Sequence, residues 1–188
     1  MGILPPKRPQ ITREECKKIL KAKGIYAPAV IGIRGYYLDS MGTEGVNDRG
    51  IYDDAIAVIA FGEFEAFNAN TDPSISRPKV AVLVPGVWPY KKGIHGLSKP
   101  VALRYQALVQ AGEVTVDRDF GAIDTGMFGI NIHRGGLIST SSLGCQTIYP
   151  LQWPRFKSLV YAVMDRANIA SIAYVLITEA ERREIART

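Results

Sequence analysis

The segment INIHRGGLISTSSLGCQTIY, residues 130–149, concentrates the side chains best suited to covalent chemistry. Cys145 follows a loop of small residues and sits beside Gly144. A thiol acts as a nucleophile when a base within hydrogen-bond reach takes its proton and a carbonyl has room to approach. His133, one of only 2 histidines in the chain, is the candidate base. Gly144 allows close approach of substrate and backbone. The loop holding Ser142, Gly144 and Gln146 is the candidate oxyanion element. The chemistry implied is attack of a Cys145 thiolate on an acyl or peptide carbonyl. The ordinary reading stands beside it: a cysteine next to glycine is often a small buried hydrophobe, and a lone histidine a satisfied structural group.

Other residues are candidates for substrate contact. Asn131 alternates with His133 on a strand and so shares its face. Arg134 and Arg118 each have the fork geometry to hold a substrate carboxylate. For Arg118, between Asp117 and Asp119, an ordinary ion pair is the alternative. His95 lies in WPYKKGIHGLSKP between glycines, which predicts a loop position lining a cleft with Trp88 and Tyr90. The alternative places Trp88 in the core and His95 on a surface loop. No HExxH or CxxC spacing exists, so no metal is expected at His95, His133 and Cys145. No GxxxxGK[ST] and no post-strand GxGxxG exists either, and no cofactor is expected.

His133 with Gly135, followed by Ser142-x-Gly144-Cys145, resembles the signature of the L,D-transpeptidase catalytic domain family. GIRG, TDP, GIHG and the Gln after the cysteine resemble a diverged phage or prophage branch of it. The resemblance implies Cys145 as nucleophile and His133 as base, the histidine held by a backbone carbonyl. It implies a mainly β fold with a helix after the cysteine. It also implies peptidoglycan stem peptides as substrates, through a thioester, with water or an amine as acceptor. Leu143 stands where the family often has His, and Gln146-Thr147 where it often has an apolar residue then Arg. Leu143 motivates the alternative of a non-catalytic phage structural or cell-wall-binding module on the same fold.

The elements that must position these residues follow from pattern. Residues 1–10 form a Pro-rich lead expected to be mobile, and residues 11–188 a single domain. Thr12 and Glu15 spell a capping box, and Gly24 a stop, for a helix burying Cys16, Ile19 and Leu20. Strands are expected in AVIGIRGYYL, IYDDAIAVIAF, EFEAFNANT, KVAVLVPGVW, VALRYQALV, GEVTVDRDF and GMFGINIH. Pro85-Gly86 breaks the fourth of these, and Gly62 marks a hairpin. GCQTIYP leads to a helix, WPRFKSLVYAVMDRAN, with Pro154 near its start. IASIAYVLI is a strand, and TEAERREIAR a helix capped by Thr178. The class is α+β, with a mainly antiparallel β middle and N-terminal, post-cysteine and C-terminal helices.

Composition fits a chain that buries a real core: 47% hydrophobic and 22% charged over 188 residues. The net charge of +5 suits an anionic partner, but no dense basic block supports nucleic acid. Two cysteines in different contexts are expected to be free thiols. No signal-like or membrane-spanning run is present. The chain is expected to be cytoplasmic as made, without membrane insertion. It would reach peptidoglycan after lysis, by holin release or as a virion component.

Overall fold

A computed structural model describes residues 2–187; Met1 and Thr188, the outermost residues of the expected lead and domain, lie outside it. The chain begins with α1 (Arg13–Ala22), whose Thr12–Glu15 capping box forms as expected. It buries Cys16, Ile19 and Leu20, and Gly24 adopts φ +65° just past its end. The strands that follow are β1 (Ala29–Arg34), β2 (Asp54–Ala60), β3 (Glu63–Asn70), β4 (Ala81–Leu83), β5 (Gly86–His95), β6 (Tyr105–Gln110), β7 (Val114–Arg118), β8 (Ile123–Gly126), β9 (Ile132–Arg134) and β10 (Gln146–Ile148). Then come α2 (Trp153–Arg166), β11 (Ile172–Thr178) and α3 (Glu179–Ala186). The α+β class and the three helices agree with the sequence reading.

Eight strands close into a barrel in the order β1-β11-β5-β6-β9-β10-β3-β2, and β4-β7-β8 form a small second sheet. The pairings are antiparallel except β1 with β11 and β9 with β10. The period-2 alternation of strands sorts side chains into two apolar groups. Val30, Ile56, Val58, Phe67, Ile132, Ile148, Tyr174 and Leu176 meet α2 residues such as Phe156 and Val160 in the main core. Ile31, Ile33, Ala55, Ala57, Ile59, Val175 and Ile177 face the other way, under α1. Arg182 of α3 ties the two terminal helices by pairing with Glu15 and Glu179.

Several expected boundaries change. KVAVLVPGVW breaks at Pro85-Gly86 as expected, but its halves, β4 and β5, join different sheets. WPYKKGIH continues β5, so His95 ends a strand rather than sitting in a loop. Gly93 is needed inside this strand, because a Cβ there would lie 2.5 Å from Val109 Cγ2. Ile123–Gly126 forms β8, which the sequence reading missed. The expected strand GMFGINIH shrinks to β9, because Gly129 turns the chain with φ +73°. The Pro-rich lead, expected to be mobile, makes defined contacts: Ile3 O accepts from Tyr52 N, Lys7 O from Tyr37 and Asn68, and Arg8 pairs with Glu65. Among the described residues no helix is long and apolar enough to cross a membrane.

Candidate active site

The parallel pairing of β9 with β10 places Cys145 and His133 on neighbouring strands. Gln146 lies beside Ile132 and Thr147 beside His133, which puts Cys145 next to Asn131. Ile132 and Ile148 point into the main core, so by alternation Asn131, His133, Cys145 and Thr147 share the opposite face. His133 and Cys145 are thus diagonal neighbours on adjacent strands. The backbone N–H of Asn131 donates to Cys145 Sγ at 3.3 Å, and the thiol in turn contacts Gly129 O at 3.6 Å.

His133 is buried and held from three sides. Its Nδ1 lies 2.7 Å from Arg134 O, a pure acceptor, so Nδ1 carries the proton and Nε2 keeps a lone pair. Tyr105 OH lies 3.3 Å from the same nitrogen and donates to the same carbonyl. His95 stacks on His133 with ring centroids 3.9 Å apart and 21° between planes. Asn131 Nδ2 contacts His95 Nδ1 at 3.2 Å, fixing the second ring.

Electrostatics keep the resting pair neutral. Burial, reinforced by His95, lowers the His133 pKa to about 3 against the pull of the Arg134 carbonyl. Burial and Lys99 lower that of His95. Burial raises the Cys145 thiol, while the Asn131 N–H and Lys99 act in the opposite direction. The residue as a whole is partly buried, though burial dominates at the thiol itself. Cys16 differs: it is fully enclosed and its pKa is pushed up to about 12 by burial. Both cysteines are free thiols.

A groove of about 630 Å³ lies beside these residues, lined by His95, Asn131 and Gly129 together with Lys91, Lys99 and Met127, while Cys145 and His133 themselves are not part of its lining. His95 thus borders a groove, as expected, and Asn131 lines it too. Trp88 and Tyr90 do not. Tyr90 is fully buried against Tyr174, and Trp88 packs on the main core and donates its indole N–H to Val84 O. Both belong to the β5 stretch before Lys91, which β11 covers. Arg118 pairs with Asp124 and lies over the Phe128 ring, beside a separate recess lined also by Leu143. That is the ion-pair alternative, with Asp124 rather than Asp117 or Asp119 as partner. Arg134 serves through its carbonyl, while its exposed guanidinium lies over Tyr105.

The loop before the cysteine is braced rather than open. Ser142 Oγ donates to Cys145 O at 2.6 Å and accepts from Gly144 N at 3.0 Å. That N–H is therefore already engaged and does not point at a substrate oxygen. Gly144 is required: its φ is +135°, and a Cβ would sit 2.6 Å from Ala81 O. Gln146 is corrected outright. It faces the core, where Tyr174 OH donates to its Oε1 and its Nε2 donates to Gly144 O. Tyr105, Lys99 and Gly129 were missed. The β5–β6 register, which sets Tyr105 opposite His95, is the signal that finds Tyr105.

No family model, curated protein or solved structure matches the chain. Among the described residues no three His, Cys, Asp or Glu side chains gather as a metal site.

Proposed function

We propose that the protein is a peptidoglycan-active cysteine enzyme, an L,D-peptidase or L,D-transpeptidase of the L,D-transpeptidase type. The observation that carries this reading is the shared face of Cys145 and His133 on adjacent parallel strands, with Nδ1 of His133 tied to the Arg134 carbonyl. That tautomer leaves Nε2 to accept the thiol proton as Sγ attacks a stem-peptide carbonyl. The proton then passes from the imidazolium to the leaving amine, and a thioester forms. Water attacking the thioester completes hydrolysis; an amine completes transpeptidation. The lysine-bearing groove suits the carboxylates of stem peptides. Since the ground-state pair is neutral, proton transfer accompanies attack rather than preceding it. Purified muropeptides incubated with wild type and with Cys145→Ala decide the matter by mass spectrometry: cleavage or cross-linking by wild type alone supports it, and equal turnover sinks it.

One observation favours a second reading, a non-catalytic phage structural or wall-binding module. Burial disfavours both the thiolate and the imidazolium, the opposite of a pre-formed ion pair. Sacculus pull-down that is saturable and unaffected by Cys145→Ala, with no muropeptide turnover, selects that reading.

A further inference from the structure

A second polar cluster lies along the barrel from His133. Asp53, Asp54 and Asp72 are all buried, and among the described residues no Lys or Arg forms an ion pair with any of them. Arg34 gives its hydrogen bonds to the neutral acceptors Thr71 Oγ1, Thr71 O and Leu83 O, so its one positive charge acts on Asp54 and Asp72 from nearby without pairing with either. Arg49 is spent on Asp119 and on Ile75 O. Asp54 is satisfied by the N–H groups of Gly35 and Thr71. Asp48, the remaining nearby acid, accepts from Thr43 N and gives its own N–H to Asp53 Oδ2. The cluster therefore holds more negative charge than its surroundings neutralise, which is costly in a buried setting.

The second observation concerns oxygens. Asp53 Oδ1, Asn70 Oδ1 and Asn47 Oδ1 are buried and have no hydrogen-bond partner. Asn47 and Asn70 each give their amide N–H to Asp72, at 2.5 Å, which leaves their carbonyl oxygens unengaged. Asp54 pairs with Ala69 across β2 and β3, so one step on Asp53 lies opposite Asn70, on the same face and within side-chain reach. The backbone N–H of Asp48 holds Asp53, and the neighbouring Asn47 holds Asp72. Buried oxygens of a protein are seldom left unpaired unless an ion or water completes them.

We propose that Asp53, Asp72, Asn47 and Asn70 form a binding site for one hard divalent cation of calcium size. Two carboxylates and two amide carbonyls are a small all-oxygen set, which water would complete. Calcium accepts such mixed, irregular oxygen shells, whereas magnesium demands near-octahedral geometry and keeps most of its water. Half of the donors are amides, so the set holds only two carboxylates. Its function is structural: it ties the 42–53 loop to the end of β3.

A cation bound there would engage the unpartnered oxygens of Asp53, Asn47 and Asn70 together with Asp72, so supplying calcium should stabilise the fold. The experiment is thermal melting of the full chain at about pH 8 in EDTA and in millimolar CaCl2, with wild type and Asp53→Asn. The expected result is a Tm rise of about 5 °C or more for wild type and none for the variant. Terbium luminescence of wild type, sensitised by Tyr52 and displaced by calcium, tests the site without any substitution. No calcium-dependent rise together with no terbium signal overturns the proposal in favour of protonated carboxylates. A rise of equal size in Asp53→Asn overturns it too.

Discussion

Cys145 and Cys16 share a side chain and little else. Cys16 is enclosed on the buried face of α1 with its thiol pushed up to about 12, while Cys145 is only partly buried and takes its hydrogen bond from Asn131, which lines a groove. Iodoacetamide on the native protein should therefore label Cys145 alone, slowly near neutrality and faster as alkaline pH raises the thiolate fraction. Cys16 should label only after unfolding; tandem mass spectrometry of timed digests reads both. His133 makes a complementary prediction. Its pKa of about 3, set first by burial, means the imidazole stays neutral through the range where an ordinary histidine titrates. Its ring protons should hold their NMR shifts from pH 8 down to about 4, whereas an unperturbed histidine titrates near 6.5. Because the folded pKa is depressed, this residue's stabilising contribution is present above the unfolded value and lost as pH falls toward 3. A midpoint near 6.5 for His133 would remove the buried, stacked geometry on which the site rests.

At the scale of elements, the loop from Ser142 to Gly144 sets where the thiol sits. Gly144→Ala would force a side chain into φ +135° and against Ala81 O, which cannot swing away as a side chain can. A loss of about 2–4 kcal/mol is expected in urea unfolding, with slower Cys145 alkylation relative to its unfolded control. Ser142→Ala should cost about 1–2 kcal/mol, since it leaves Gly144 N without its partner. This loop also shows what a sequence makes legible. Thr12, Glu15 and Thr178 marked helix starts correctly because capping is decided within three or four residues. That Cys145 and His133 would lie on neighbouring strands was legible because each sits in or beside a short strand pattern joined by a small-residue loop. Gln146 was misread because adjacency in sequence is not adjacency on a face: in a strand the next residue points the other way. β5 was cut short on paper because Lys91, Lys92 and Gly93 read as loop, although Gly93 is there to admit Val109. Tyr105 and the Asp53–Asn70 row depend on register between strands, which no local pattern encodes.

At the scale of the molecule, closure of the barrel depends on β1 meeting β11, a pairing between the two ends of the chain. α1 precedes β1 and α3 follows β11, and the two helices meet near that seam, where Arg182 bridges Glu15 and the buried Glu179. Sequence alone showed both amphipathic helices but not that they meet, because the contact spans nearly the whole chain. β9 and β10 lie on the opposite arc of the barrel, four places around the strand order from β1 and β11. The seam and the Cys145–His133 face thus lie on opposite arcs of one closed hydrogen-bonded ring. Arg182→Ala removes one of two guanidinium partners from Glu179 while Arg183 remains, so the cost is below that of a fully orphaned buried carboxylate. About 2 kcal/mol is expected from urea melts. Because the ring closes only as a whole, the loss should appear as a shifted midpoint with unchanged slope, not as a separate early transition. Well below the melting range, Cys145 alkylation in this variant should match wild type. A separate early transition, or faster labelling of Cys145, would show instead that the terminal helices control the site across the barrel.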